Sequence, residues 1–149
     1  MLKSLYIMKI DFVINNKWKW GDDMSYSSDI KEELSKINNF KNVVLIESEF
    51  LGYVLTGNVS SDESKVEFVT ENEFNIERFY KILFNLQIDY EPNKIGKNFV
   101  ASISRNDVEE RIKRIKIDEI SEITKSIIRG SFLGAGSITD PNKSYHLEI

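Results

Sequence analysis

Three polar residues near the end of the chain have the residue types found in nucleophilic active sites. Ser137 could act as a nucleophile, His146 as its base and Glu148 as the carboxylate that orients the base. His146 and Glu148 are two residues apart in Tyr145–Ile149, where polar and apolar residues alternate. Side chains at this spacing point to the same face of a strand, so they do not form a relay. We therefore interpret the three residues as the surface of a hairpin.

The residue types also limit which metal sites the chain can build. The sequence has no cysteine and one histidine, which excludes disulfides, thiolate metal sites and sites with several histidines. We expect no metal and no cofactor. No apolar run approaches the roughly 18 residues that a membrane span needs, so a membrane is not an expected partner. The lack of cysteine suits a cytoplasmic protein.

The stretch from Ile127 to the last residue has the strongest local pattern. Small residues alternate with large apolar ones as far as Gly136, which indicates a buried helix. A glycine in a helix interior costs about 1 kcal/mol, and close contact between two helices is the usual compensation. Ser137–Thr139 is then predicted to begin a strand, Asp140–Lys143 to form a turn, and Tyr145–Ile149 to return as the second strand.

Composition and charge bound the class of protein. With 149 residues, 41% hydrophobic and 30% charged, the chain fits one soluble domain, or one domain and a piece of another. The net charge of −4 argues against a general polyanion binder. Residues 94–149 carry ten Lys/Arg against eight Asp/Glu, a net charge of +2, which leaves −6 for residues 1–93. A basic surface is therefore expected only in the later half.

Hydrophobic periodicity predicts helices that alternate with hairpins. The predicted helices are one capped by Ser27 or Ser28, then Val43–Leu55, Asn72–Gln87, Val108–Ile115 capped by Asp107, and a last helix after Asp118. The predicted hairpins pair 59–61 with 65–70 and 88–91 with 98–104, the second around a turn at 92–97. In the Asn72–Gln87 helix, Glu77, Arg78 and Lys81 are expected on the outside.

An internal repeat is the main clue to the architecture. The segment Phe50–Val59 is a degenerate counterpart of the glycine-rich terminal stretch when Gly57 is aligned with Gly136. The same alignment places Tyr53 on Phe132. Each copy is expected to begin with an apolar helix that leads into a hairpin.

Two blocks of sequence carry a family resemblance. The first is Arg129-Gly130-x-Phe132-Leu133-x-x-Gly136-Ser137-Ile138, followed by Asp140-Pro141-x-Lys143-Ser144-Tyr145-His146-Leu147-Glu148. It resembles the second LAGLIDADG-type motif of WhiA proteins, which are bacterial transcription regulators of sporulation and cell division. The second block, Met24–Ser35, resembles the start of the same family. The resemblance covers residues 24–149.

The resemblance implies a fold and a domain organisation. The fold is α+β and LAGLIDADG homing-endonuclease-like, with one complete α-β-β-α-β-β-α repeat and the start of a second. The expected parts are an N-terminal extension (1–23), an N-terminal helix (24–41), the first repeat (42–117) and the motif helix and hairpin of a truncated second repeat (118–149). Five glycines are expected to pack the motif helices: Gly52, Gly57, Gly130, Gly134 and Gly136. The rest of the second repeat and a C-terminal helix-turn-helix domain are expected to be absent, as in a fragment.

The extension has two interpretations. If Met24 is the true start, residues 1–23 are a translated leader, because Trp20–Asp23 can be encoded by a stretch that resembles a ribosome-binding site. The other interpretation is an added strand made from Tyr6 to Val13.

The resemblance also bears on nuclease activity. In LAGLIDADG homing endonucleases an acid precedes the final glycine of each motif, and the two carboxylates hold divalent metals. The corresponding residues here are Thr56 and Ala135, and neither supplies an anionic oxygen. We therefore expect no enzyme activity, and an active nuclease is the least favoured interpretation.

Two functions from different classes remain open. The first is a non-catalytic DNA-binding domain of a cytoplasmic, nucleoid-associated regulator that also acts in chromosome segregation. Its expected contacts with DNA lie on the outward strand face and nearby: Lys65, Lys94, Lys97, Asn98, Arg105, Arg129, Lys143 and His146. For Arg129 a pairing with a carboxylate is the alternative. The second function is a protein-interaction scaffold without DNA affinity, which the interleaved Glu67, Asp89 and Glu91 favour. An uncovered second repeat also predicts a homodimer.

Overall fold

The computed structural model of the chain describes residues 25–115, 121–143 and 146–149. Both interpretations of residues 1–23 lie outside this described part. Its helices are α1 (Tyr26–Ser35), α2 (Val43–Leu55), α3 (Glu73–Leu86), α4 (Arg105–Ile112) and α5 (Ser121–Ala135). Its strands are β1 (Asn58–Val59), β2 (Lys65–Thr70), β3 (Tyr90–Ile95), β4 (Asn98–Ser104), β5 (Ser137–Ile138) and β6 (Leu147–Glu148). None of the described helices is long and apolar enough to cross a membrane.

One antiparallel sheet organises the first repeat. Its strand order is β1-β2-β4-β3, and β2 pairs with β4 from Lys65 opposite Ser104 to Thr70 opposite Phe99. Helices α2 and α3 pack on one face of this sheet. The order α2, β1–β2, α3, β3–β4, α4 is the predicted α-β-β-α-β-β-α unit. This confirms the α+β fold class.

Four aromatic side chains join the two helices to the sheet. The Phe79 ring lies 4.7 Å from the Tyr53 ring and 4.8 Å from the Phe68 ring, and it stacks on Phe50 at 6.3 Å. All four side chains are buried. Burying a side chain of this size contributes on the order of 2 kcal/mol, so this cluster is the centre of the core.

Two predicted helix starts are wrong by a few residues. Helix α1 is capped by Ser25, whose hydroxyl accepts the Ser28 N–H at 3.3 Å, and not by Ser27 or Ser28. Helix α4 begins at Arg105, before the predicted cap Asp107. The Arg105 N–H donates to the Ser64 carbonyl at 2.9 Å, so a tertiary hydrogen bond fixes where strand β4 ends and the helix begins.

The second hairpin has a tighter turn than the sequence predicts. Strand β3 continues through Pro92 to Ile95, which leaves only Gly96 and Lys97 between the strands. Gly96 has φ +61°, a backbone conformation that glycine adopts without strain. Proline fits here because β3 is an edge strand that can lose an N–H donor on its open side.

The second repeat begins as predicted. Strand β5 (Ser137–Ile138) follows β1 (Asn58–Val59) at the same interval that separates the aligned glycines, Gly57 and Gly136. Strand β5 pairs with β6 as β1 pairs with β2, so Ile138 lies opposite Leu147 as Val59 lies opposite Val66. The chain therefore contains one complete repeat and the motif helix and first hairpin of another.

Candidate functional site at the crossing of the motif helices

The two motif helices, α2 and α5, cross with their backbones in contact. A Cβ built on Gly52 would lie 2.5 Å from the Ser131 nitrogen, and one on Gly130 would lie 2.9 Å from the Glu49 carbonyl carbon. No side chain fits at either position. The close contact between the helices also brings equivalent residues of the two internal repeats together. The Ser131 hydroxyl donates to the carbonyl of Gly52, its counterpart in the first repeat.

Of the other three predicted packing glycines, one lies in the contact between the helices and two do not. Gly134 faces the Thr56 hydroxyl across the crossing, so it does belong to the contact between helices. Gly57 and Gly136 do not, because each lies beyond the last residue of its helix. A Cβ on Gly57 would meet Val66 in β2 at 3.0 Å, and one on Gly136 would meet the Phe132 backbone of its own helix.

A buried ionic network lies beside the crossing. Arg78 is 1% exposed and Glu49 is 0% exposed, and two hydrogen bonds of 2.5 and 2.9 Å join their side chains. The Arg78 guanidinium also donates to the carbonyls of Ser35 and Ile37 at 2.9 and 2.7 Å. Arg129 donates to the same Glu49 carboxylate at 2.9 Å. One carboxylate thus holds two guanidinium groups and ties α1, α2, α3 and α5 together.

This network corrects the prediction that Arg78 lies outside. Arg78 is four positions after Phe74 and four before Ile82, so all three occur on one stripe of α3. Burial alone would raise the pKa of Glu49, but the hydrogen bonds and charges of Arg78 and Arg129 outweigh it, and the pKa is lowered. Glu49 is therefore ionised at neutral pH. Arg129 makes the carboxylate contact that was the alternative to phosphate binding.

A second buried polar chain closes the end of α5. The Asn75 amide donates to the Leu133 carbonyl at 2.6 Å and accepts the Tyr53 hydroxyl at 2.9 Å. Leu133 is in the last turn of α5, where a carbonyl lacks a partner within its helix. Sequence reasoning missed this contact, since nothing local distinguishes Asn75 from a solvent-exposed helix residue.

The sheet presents its other face away from the helices. This outer strand face, identified by the alternation along the strands and the register between them, is defined by Asn58, Lys65, Glu67, Val69, Glu91, Asn93, Ile95, Asn98, Val100, Ser102 and Ser104. Two of the predicted DNA-contact residues lie on it, Lys65 and Asn98. The Lys65 ammonium donates to Glu91 at 2.6 Å, and this hydrogen bond raises the pKa of Lys65.

The remaining predicted contact residues are elsewhere. Lys94 pairs with Phe99 on the helix side of the sheet, its ammonium 4.7 Å from the ring centre, so the prediction that it points outward is wrong. Lys97 is exposed in the β3–β4 turn. Arg105 hydrogen-bonds Glu109 at 3.0 Å and lies 3.5 Å from Glu63. Lys143 and His146 belong to the terminal hairpin.

The predicted hairpin surface agrees with the structure. The His146 ring nitrogen lies 2.7 Å from the Glu148 carboxylate, a direct contact that the shared strand face alone did not predict. Both side chains are more than half exposed, and Ser137 is exposed as well. In the described part of the chain, no three His, Asp or Glu side chains are grouped so that they could hold a metal ion.

Comparison with known proteins decides the family. A model of the WhiA LAGLIDADG-like domain matches residues 124–149. The Lachnospira eligens protein named "Probable cell division protein WhiA" is 35% identical over 154 residues, which cover 85% of this chain and 48% of that protein. The Ruminiclostridium cellulolyticum protein of the same name is 31% identical, with the same coverage. This chain belongs to the WhiA family.

Solved WhiA structures agree with the fold. The full-length DUF199/WhiA of Thermatoga maritima superposes with a TM-score of 0.68 at 26% identity, covering 85% of this chain and 44% of that one. The N-terminal LAGLIDADG domain of DUF199/WhiA gives the same TM-score at 25% identity and is covered to 67%. The chain thus spans about half the length of the curated WhiA relatives that it matches.

In this WhiA-type domain the two positions before the motif glycines carry no carboxylate. Thr56 follows the last residue of α2, and its hydroxyl donates within its own helix to the carbonyls of Gly52 and Tyr53 at 3.2 and 3.1 Å. Ala135 ends α5 and is exposed. The buried carboxylate of the crossing, Glu49, lies further back along α2 and is held by two arginines.

Proposed function

We propose that this chain is a non-catalytic DNA-contacting domain of a WhiA-type regulator of cell division, sporulation and chromosome segregation. Membership of the WhiA family supports the proposal, as does the name of the curated relatives, which are called cell division proteins. The role of the intact protein is part of the proposal, because the chain spans about half of each relative.

The observation that carries the DNA-contacting role is the polar composition of the outer strand face. Amide and hydroxyl side chains recur on it, at Asn58, Asn93, Asn98, Ser102 and Ser104. Such groups hydrogen-bond to phosphate oxygens and to base edges. A face of a sheet can follow a groove of the duplex, and the adjacent Lys97 adds an exposed positive charge. Within the same face, Val100 is buried, so its polar edge residues would make the contacts.

The non-catalytic part of the proposal rests on the ends of the motif helices. Hydrolysis of a phosphodiester with divalent metals needs carboxylates that converge on the scissile phosphate. Thr56 keeps its hydroxyl within its own helix, and Ala135 has no polar side chain. Glu49 is neutralised by Arg78 and Arg129 inside the protein, so it is not available to a metal at the surface.

A protein-interaction scaffold without DNA affinity is the second candidate, and the charges of the outer strand face favour it. The face contains Lys65, Glu67 and Glu91, a net charge of −1. Lys65 is already paired with Glu91. A face of this charge attracts a phosphate backbone weakly and suits a protein surface of mixed charge.

Fluorescence anisotropy of labelled duplex DNA over a salt series separates the two functions. If the outer strand face contacts phosphates, affinity falls steeply as salt rises, because counterions are released on binding. Replacing Glu67→Gln then removes a repulsive charge and strengthens binding severalfold, whereas Lys97→Ala weakens it. Glu77→Gln and Lys81→Ala on α3 are matched controls on the helix side of the sheet, and neither should change the affinity.

Each result points to one function. The absence of binding at low salt, with the fold intact by circular dichroism, excludes the DNA-contacting role and leaves the scaffold. If Glu67→Gln and Glu77→Gln change the affinity for DNA equally, another surface contacts the DNA. Cleavage of the duplex in the presence of Mg²⁺ would contradict the non-catalytic assignment.

A further inference from the structure

A pocket of about 460 Å³ opens between the end of α1, the segment 36–42 and helix α3. We call it the α1–α3 pocket. Pockets that bind small ligands have volumes of roughly 300–1,000 Å³, so this one is large enough for a small metabolite. Among the residues that line it are Ile37, Asn38, Phe40, Phe74, Glu77 and Lys81.

The buried ionic network fixes one wall of the α1–α3 pocket. Arg78 lines the pocket, and its guanidinium donates to the carbonyls at the end of α1 and just after it and, at 3.1 Å, to Asn39. The guanidinium carbon also lies 5.2 Å from the centre of the Phe40 ring. These contacts hold the segment 36–42 in place. Because Glu49 accepts the remaining two donors of Arg78, the polar contacts of a ligand must come from other residues.

Two opposite charges of the pocket have no ion-pair partner. Glu77 and Lys81 are one turn apart on α3, but among the residues that the structure describes neither side chain forms an ion pair. Glu32 and Lys36, which also line the pocket, pair with each other at 2.8 Å. The pKa of Glu73 is raised by its burial and then by the negative charge of Glu77, so the field around Glu77 favours a cation. A ligand with an ammonium and a carboxylate close together complements these charges.

Apolar groups lie next to the two charges. Phe74 is three positions before Glu77, so it shares a stripe of α3 with Glu77 and Lys81. Phe40 and Phe74 are half-buried, and Ile37 is 39% exposed. Aromatic walls favour a second ring in an offset or edge-to-face arrangement. A large apolar side chain therefore fits beside the groups that would bind the charged end of the ligand.

We propose that the α1–α3 pocket binds a free α-amino acid with a large apolar side chain. The ammonium of the ligand contacts Glu77, and its carboxylate contacts Lys81. The exposed Asn38 amide donates a further hydrogen bond to the carboxylate. The apolar side chain packs against Phe40 and Phe74. The pocket lies on the helix side of the sheet, away from the outer strand face, so the proposal stands or falls independently of DNA binding.

Isothermal titration calorimetry of the full chain with L-phenylalanine at neutral pH tests the proposal. We expect saturable one-to-one binding. N-acetyl-L-phenylalanine lacks the ammonium and L-phenylalaninamide lacks the carboxylate, and each should bind at least about fivefold more weakly, since hydrogen bonds between charged groups are the stronger ones. Glycine keeps both charges but has no apolar side chain to bury, so it should also bind severalfold more weakly.

Variants of the two charged residues test where the ligand binds. Glu77→Gln and Lys81→Met keep the length of each side chain and remove its charge, and each should weaken the binding of L-phenylalanine at least about fivefold. Glu77→Gln should also abolish the preference for L-phenylalanine over its N-acetyl derivative, because the contact with the ammonium is then lost. Glu67→Gln makes the same chemical change on the outer strand face and should leave the affinity unchanged. Circular dichroism establishes that each variant is folded.

Three results would overturn the proposal. The first is no binding of L-phenylalanine at ~10 mM, a concentration at which a Kd of about 1 mM gives nearly full occupancy. The second is an equal effect of Glu77→Gln and Glu67→Gln on the affinity. The third is binding of N-acetyl-L-phenylalaninamide, which has neither charge, as tight as that of L-phenylalanine, because the pocket would then accept the side chain of a peptide.

Discussion

At the scale of single residues, the buried Glu49–Arg78 pair matters to stability through the cost of breaking it. All five donors of a guanidinium are directional, and those of Arg78 reach Glu49, Asn39 and the two carbonyls at the end of α1 and just after it. A buried pair of this kind adds little net stability when formed, since both ions are desolvated. It is costly to break, because one charge then stays buried without a partner.

We therefore expect Arg78→Ala to destabilise the domain by about 3–5 kcal/mol, measured by urea unfolding. Lys36→Ala is the control, because it removes a surface ion pair with Glu32 in which the lysine side chain is 67% exposed. That control should change the free energy of unfolding by less than about 0.5 kcal/mol. Equal effects of the two substitutions would contradict the buried network.

The same network predicts how stability depends on pH. The pKa of Glu49 is lowered in the folded protein from its ordinary value of 4.5, so its ionised form stabilises the fold above that pH. As the pH falls below the ordinary value and then through the folded pKa, this contribution is lost, because the unfolded chain takes up the proton first. Glu49→Gln lacks the contribution at every pH. The difference in unfolding free energy between the two proteins should shrink with acid, and parallel curves from neutral pH to acid would contradict the assignment.

At the scale of secondary structure, the glycines of the motif helices differ in how strictly they are needed. Gly52 and Gly130 face backbone atoms of the opposite helix, which cannot move without separating the helices. Gly134 faces a threonine hydroxyl, which can rotate away. The cost of adding one methyl group therefore depends on the neighbour and not on helix propensity.

Gly52→Ala and Gly130→Ala should each destabilise the domain by about 3 kcal/mol or more, the upper end for an overpacked core. Gly134→Ala should cost less, because rotation of Thr56 and the better helix propensity of alanine, ~1 kcal/mol, offset the contact. Thr124→Ala at an exposed position of α5 controls for propensity. The ranking can be measured by thermal unfolding, and equal costs for Gly134→Ala and Gly130→Ala would be inconsistent with the structure.

At the scale of the whole molecule, the two repeats are unequal in burial. In the first, β2 and β4 form a ladder of six residue pairs beneath the aromatic cluster. In the second, β5 and β6 share two pairs, and Leu147 is 60% exposed. Local opening requires less free energy where few apolar contacts must be broken.

Native-state hydrogen exchange should show this inequality. Paired amides of β2 and β4 should exchange at least roughly a hundredfold more slowly than those of β5 and β6. Uniform protection of both hairpins in the free chain would contradict the unequal burial.

The local pattern of the sequence determined the elements and their order. The apolar character of Val43–Leu55 predicts a helix at its observed bounds, and in the structure Asn42 caps it. The interval between the two repeats was readable from the alignment of Gly57 with Gly136, and it located β5 relative to β1. These features depend on neighbours in the chain, which is why the fold and the family resemblance could be predicted.

Contacts between distant residues decided the rest. The sequence predicts Arg78 at the surface, but α1, α2 and α3 enclose it together with Glu49. The sequence predicts that Lys94 points outward, but the strand register places it beside Phe99 on the helix side of the sheet. Gly57 and Gly136 resembled packing glycines, yet both lie beyond the crossing. The periodicity of a sequence specifies which residues share a face, but only the tertiary structure specifies what that face meets, because the partner comes from elsewhere in the chain.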